Sequence, residues 1–67
     1  MIVFVNNNLL EMKEPEKIPG ILQLVNIPDS NGIAVAVNNA VVPRAEWESF
    51  TVHENDQLTV IRATQGG

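Results

Sequence analysis

The group best placed to do chemistry in this chain is its end. Thr64 and Gln65 lead into Gly66 and Gly67, and the last glycine carries the terminal carboxylate. Glycine has no β-carbon, so two in succession can be extended, turned through positive φ, or passed down a channel too narrow for any side chain. The carboxylate is ionised at neutral pH. It is free to attack an electrophilic phosphorus. The plainer reading is a frayed polar terminus, the usual state of a chain end that nothing ties down.

The other reactive residue types offer less. The sequence has no Cys, so no thiolate can serve as nucleophile, metal ligand or sulfur-bearing side chain, and no disulfide can staple the fold. One histidine, His53, cannot make a zinc site by itself, and no metal site is expected. Glu11, Glu14 and Glu16 invite a paired-carboxylate mechanism. A chain of 67 residues buries only about 60% of its unfolded surface, however, and leaves no cleft to hold them, so they read as a solvated rim. Arg44 is read either as a contact for a partner or as a surface residue paired with Glu46 or Glu48.

Composition sets the class. Hydrophobic residues make up 45% of the chain and charged ones 18%, a globular rather than a disordered balance. The net charge of −4 repels phosphate backbones, which argues against nucleic acid and for a basic protein surface as partner. The opening residues lack the regions of a signal peptide, and no apolar run reaches membrane-spanning length. A cytoplasmic protein that does not contact membranes is expected, monomeric when free.

Stepping along the chain gives the elements that would carry such an end. Ile2–Val5 is β-branched or aromatic and runs into Asn6, Asn7 and Asn8, which tolerate left-handed turns; Leu9 to Met12 returns as the second arm of a hairpin. Ile18, Ile21, Leu22 and Val25 are spaced i, i+3, i+4, i+7 along one face of a short helix. Pro19 fits its first turn, Gly20 weakens it, and Asn26 to Gly32 is the loop that ends it. Ile33, Val35 and Val37 alternate with Ala34 and Ala36, and Asn38 and Asn39 turn the chain back through Ala40 to Val42 as a second hairpin. Pro43 closes that strand. A helical turn over Arg44–Phe50 should lay Trp47 on one edge of the core. His53 to Asp56 is polar turn material before a closing strand, in which Leu58 and Val60 face the helix while Thr59, Ile61 and Ala63 face the open side with Ala34 and Ala36.

Two hairpins, one amphipathic helix and a closing strand make an α+β chain: a mixed sheet of about five strands packed on one short helix. The expected fold is the ubiquitin-like β-grasp, a single domain over residues 1–67 with 64–67 as a flexible projecting tail.

At this point the residues also resemble a family. Val42, Pro43, Arg44, Ala45, Glu46, Trp47 and Glu48, then Glu54, Asn55, Asp56, Leu58 and Val60, then Gln65, Gly66 and Gly67, are similar to the bacterial sulfur carrier proteins of thiamine biosynthesis, the ThiS family. The chain departs from the family pattern at Asn55, where Gly is usual, and at Pro19 and Gly20, which replace a more conventional helix start. The resemblance implies a carrier, not an enzyme, with no cofactor of its own. A ThiF-like adenylating enzyme would use ATP and magnesium to activate the carboxylate of Gly67, and a persulfide-bearing donor would convert it to a thiocarboxylate. Thiazole synthase would then consume that sulfur. Gln65, Gly66 and Gly67 would thread into these partners. The resemblance also points Val3 and Val5 inward, which puts Ile2 and Phe4 on the open side of the sheet. Exposed Phe4 and Ile61, with Thr59, Ala63, Ala34 and Ala36, would then form a docking patch. The small subunit of molybdopterin synthase, a ubiquitin-like modifier and a plain interaction module are the alternatives.

Overall fold

The computed structural model describes residues 1–27 and 32–62. The chain runs β1 (Ile2–Val5), β2 (Asn8–Glu11), β3 (Glu16–Lys17), α1 (Ile18–Leu24), β4 (Ile33–Val37), β5 (Ala40–Val42), β6 (Thr51–Val52) and β7 (Gln57–Arg62), with a 3₁₀ turn over Arg44–Glu46. A five-stranded sheet has the order β2-β1-β7-β4-β5, and a separate two-stranded sheet pairs β3 with β6. Only β1 and β7 run parallel; the other pairs of the larger sheet are antiparallel. This is the mixed β-grasp sheet that the sequence pattern predicts. The last strand is its middle one.

Both hairpins turn on asparagine pairs. Asn6 and Asn7 have φ of 52° and 68°, and Asn38 and Asn39 have 52° and 70°. A two-residue hairpin turn whose twist matches its strands needs positive φ at both positions, and Asn reaches that region more readily than other residues with a β-carbon. Asn26 and Asn55 also take positive φ, at 61° and 70°, so all six positive-φ residues other than glycine among the described ones are asparagines. Asn55 therefore adopts the geometry for which the family resemblance expects glycine. The first hairpin starts its second arm at Asn8 rather than Leu9, because two residues suffice for the turn.

The helix is short for a local reason. Ile18, Ile21 and Leu22 are fully buried and Pro19 occupies the first turn, as the spacing predicts. At the other end the amide of Ile27 donates to the carbonyl of Leu22 at 2.8 Å and that of Asn26 to Gln23 at 3.1 Å. With Asn26 left-handed, this is the paired-bond termination that ordinarily uses glycine. Val25 thus lies just past the helix, half-buried, and still packs on the core.

Trp47 closes the edge of that core. Its ring is 2% exposed, and its indole N–H donates to the carbonyl of Val42 at 2.9 Å, which satisfies the one polar group that burial would otherwise strand. The Arg44 guanidinium lies over the ring at 4.9 Å from its centroid, a cation–π distance. The small β3–β6 sheet has no counterpart in the sequence pattern. Glu16 pairs with Val52 and Lys17 with Thr51, the Lys17 ammonium also donating to the Thr51 hydroxyl.

Gly20 is the weak point of α1. A β-carbon built there would meet Oε1 of Glu16 at 2.5 Å, and that oxygen is the far end of a flexible side chain. Gly20→Ala is expected to raise the unfolding free energy by about 0.5–1 kcal/mol, measured by urea titration; a loss of stability would mean that Glu16 cannot swing aside.

Candidate functional site

β7 leads directly to the residues that the sequence singles out, and it is held from both sides. On the β4 side the register runs from Val37↔Leu58 to Ile33↔Arg62. On the β1 side it covers only Phe4↔Gln57 and Val5↔Leu58. Where each neighbour turns away, an asparagine takes over. The amide of Asn38 donates to the carbonyl of Gln57 at 2.7 Å, and its side-chain Oδ1 accepts the Gln57 amide at 3.0 Å. The amide of Asn6 donates to the carbonyl of Leu58 at 2.9 Å, and its Oδ1 accepts the Val60 amide at 2.8 Å.

The turn that feeds β7 is fixed in the same way. Asp56 accepts the His53 amide through Oδ2 at 2.8 Å and the Asn38 side-chain amide through Oδ1 at 3.0 Å. The amide of Asn55 donates to the carbonyl of Ile2 at 2.7 Å, and that of Phe4 to Asp56 at 3.0 Å. Both hairpins and the 53–56 turn therefore converge on the start of β7. His53 and Glu54 are exposed there, and among the described residues no group of three His, Cys, Asp or Glu side chains could hold a metal ion.

The two faces of the sheet separate as alternation requires. Leu58 is buried and Val60 half-buried, while Thr59 and Ile61 are exposed. Ala34 lies opposite Ile61 and Ala36 opposite Thr59, so these four share the open face. Ile2 and Phe4 join them, since Val3 and Val5 are buried. Phe4 corrects the expectation in one respect: it is half-buried rather than exposed. It sits in register between Leu9 of β2 and Gln57 of β7, and neighbours on both sides cover a ring that an edge position would leave bare. Ala63, Gln65, Gly66 and Gly67 lie outside the described residues.

Register adds two residues that sequence reading did not place on this face. Leu9 is opposite Phe4 and Val41 is opposite Ala36, and they are 62% and 72% exposed, against 55% for Ile61. The apolar surface thus runs across the whole sheet, from Leu9 at one edge strand to Val41 at the other. The signal was available: a two-residue turn fixes which residues of its arms stand opposite one another.

Comparison with known proteins now bears on this geometry. The model of the ThiS family matches residues 3–67, nearly the full sequence. The chain belongs to the ThiS family. The sulfur carrier protein ThiS of Escherichia coli (strain K12) is 36% identical over 36 residues. That match spans 54% of this chain and 54% of that protein, about half of its length. The crystal structure of the thiamine biosynthesis protein ThiS from Geobacter metallireducens superposes with a TM-score of 0.84 at 20% identity, covering all of both chains. A solution structure of a thiamine biosynthesis protein from the same organism gives 0.78 at 20% identity, over all of this chain and 88% of that one. At that identity the likeness is one of fold. No helix among the described residues is long and apolar enough to cross a membrane.

The faces predict opposite responses to one substitution in this ThiS-family sheet. Ile61→Asp should leave the unfolding free energy within about 1 kcal/mol of the parent, whereas Leu58→Asp places a charge in the core and should cost about 3 kcal/mol or more. Chemical denaturation of both variants checks this; a molten Ile61→Asp would mean that the strand is inside out.

Proposed function

We propose that this chain is a sulfur carrier for thiamine biosynthesis, with the carboxylate of Gly67 as the group that is loaded. The observation that carries the reading is the ThiS-family match over residues 3–67, which takes in Gln65, Gly66 and Gly67. The chain itself performs no reaction. It serves as co-substrate for enzymes that do.

The chemistry follows from what a carboxylate lacks. A carboxylate oxygen of Gly67 attacks the α-phosphorus of ATP within an adenylating partner of the ThiF type, with magnesium on the phosphates, and pyrophosphate leaves. The acyl-adenylate carries a good leaving group, and the partner supplies positioning and charge stabilisation. The terminal sulfur of a donor persulfide then attacks the carbonyl carbon; a C–S bond forms and the bond to AMP breaks. A thiol next attacks the donor sulfur of this acyl disulfide. That step releases the thiocarboxylate and leaves the donor as a disulfide. Thiazole synthase draws its sulfur from the thiocarboxylate. The absence of Cys fits this division of labour, because no internal thiolate competes for the activated acyl group.

Docking belongs to the open face of the sheet. Phe4, Ile61, Thr59, Ala34 and Ala36 make the surface on which the partner enzymes sit, and Leu9 and Val41 extend it to both edges. Flat apolar area with small residues at its centre is what a partner can cover closely. Gln65, Gly66 and Gly67 then thread into the partner's active site, where the two glycines, lacking β-carbons, let a narrow channel close around the backbone.

Intact-mass measurement tests the reading. After incubation with ATP, magnesium, an adenylating partner and a persulfide donor, the chain should gain the mass difference of one oxygen exchanged for sulfur. Deleting Gly66 and Gly67 should abolish the gain without unfolding the domain. No gain, with partners shown to be competent on another carrier, would leave a plain interaction module; loading together with sulfur transfer to molybdopterin synthesis instead of thiazole would move the chain to the related pathway.

A further inference from the structure

β1 ends at Val5, yet its ladder with β7 continues for one more rung. Asn6 has φ of 52°, which turns its backbone out of the strand toward β2. Its own amide still donates to the carbonyl of Leu58. Its side chain then replaces the missing strand, with Oδ1 accepting the Val60 amide at 2.8 Å across 54 residues of sequence. Beyond Leu58 the backbone pairing of β7 is with β4 alone. The Asn6 side chain restrains the strand from the opposite side, two residues before Arg62.

We propose that Asn6 is a positioning residue for the last strand of the carrier, its side-chain bond to Val60 holding the line of β7 as far as Arg62. The inference rests on the carrier reading given above. A strand bonded along one edge only is free to twist and splay, whereas a bond on each side pins its line. That line matters because the reacting carboxylate must arrive within contact distance of an ATP phosphorus, and a displacement of about 1 Å can cost up to about a hundredfold in rate. Asn6 never touches the reacting atoms. It acts through Val60.

Asn6→Gly and Asn6→Asp separate this role from a structural one. Glycine keeps the positive φ and removes the acceptor; aspartate keeps both the acceptor and a tolerance of that φ. The measurements are ATP–pyrophosphate exchange with an adenylating enzyme that loads the parent chain, and hydrogen exchange of the Val60 amide. For Asn6→Gly the exchange kcat should fall about three- to tenfold, the weight of one hydrogen bond. KM should stay unchanged because the docking face is intact, and Val60 should lose protection. Asn6→Asp should restore both kcat and protection.

A parent-like kcat in Asn6→Gly with an unprotected Val60 would overturn the proposal, as would a raised KM with unchanged kcat, which would assign Asn6 to docking. Should Asn6→Gly fail to fold, Asn6→Asp decides alone: folded and with Val60 protected, it must turn over like the parent, and a lower kcat overturns the idea. If the parent chain itself supports no exchange with an enzyme competent on another carrier, the carrier reading fails and this inference falls with it. Exchange by the parent chain, together with any of the overturning results at Asn6, sinks this inference only.

Discussion

The fold depends on holding one strand, β7, from both sides. It is the middle member of the five-stranded sheet although it is the last in sequence, and its neighbours β1 and β4 come from two different hairpins. Each hairpin turns on a pair of asparagines, and in each the first asparagine does two things: it takes positive φ, and its side-chain oxygen accepts a β7 amide. Asparagine suits this double role because its short amide reaches local backbone groups while its β-carbon tolerates the left-handed region. The same residue type that shapes the hairpins therefore seats the strand between them.

The rest of the molecule packs around that arrangement with little to spare. The core consists of buried aliphatic side chains from both sheets and α1, with Met12 and Trp47, and holds no buried polar or charged residue among those described. A domain this small has limited area to bury, so its edge is closed by one large aromatic. Trp47 fills that position and returns its only polar atom to the backbone of Val42. The β3–β6 pair then ties the entry to the helix, at Glu16 and Lys17, to the segment that follows Trp47. The proposed carrier role needs no cleft in this domain.

Much of this was legible in the sequence, and what was not shares a cause. The alternation in Ile33–Val37 and at Leu58 and Val60 gave the inward and outward faces, since a strand has only two. The Asn38–Asn39 turn gave the second hairpin, and the spacing of Ile18, Ile21 and Leu22 gave the helix, because those signals are local. Strands of two residues, Glu16–Lys17 and Thr51–Val52, show no period, and their pairing joins segments more than thirty residues apart. The cover over Phe4 follows from register between strands, which alternation within one strand does not reveal, and the placement of Leu9 and Val41 becomes legible only when the two-residue turns are combined with that alternation. The bond from Asn6 to Val60 is the extreme case, joining the first turn of the chain to its last strand. The terminal glycines are legible as residue types at the chain end and through the family resemblance, and they lie outside the described residues.

The parallel contact of β1 with β7 has a mechanical side. Ladder bonds run across the strands, squarely between β7 and β4 and at a slant between β7 and β1, so a pull along β7 from Arg62 would load the rungs on both flanks together, in shear. A strand at the margin of the sheet could be peeled away rung by rung. The central placement carries any tension on the end of β7 into two hairpins at once.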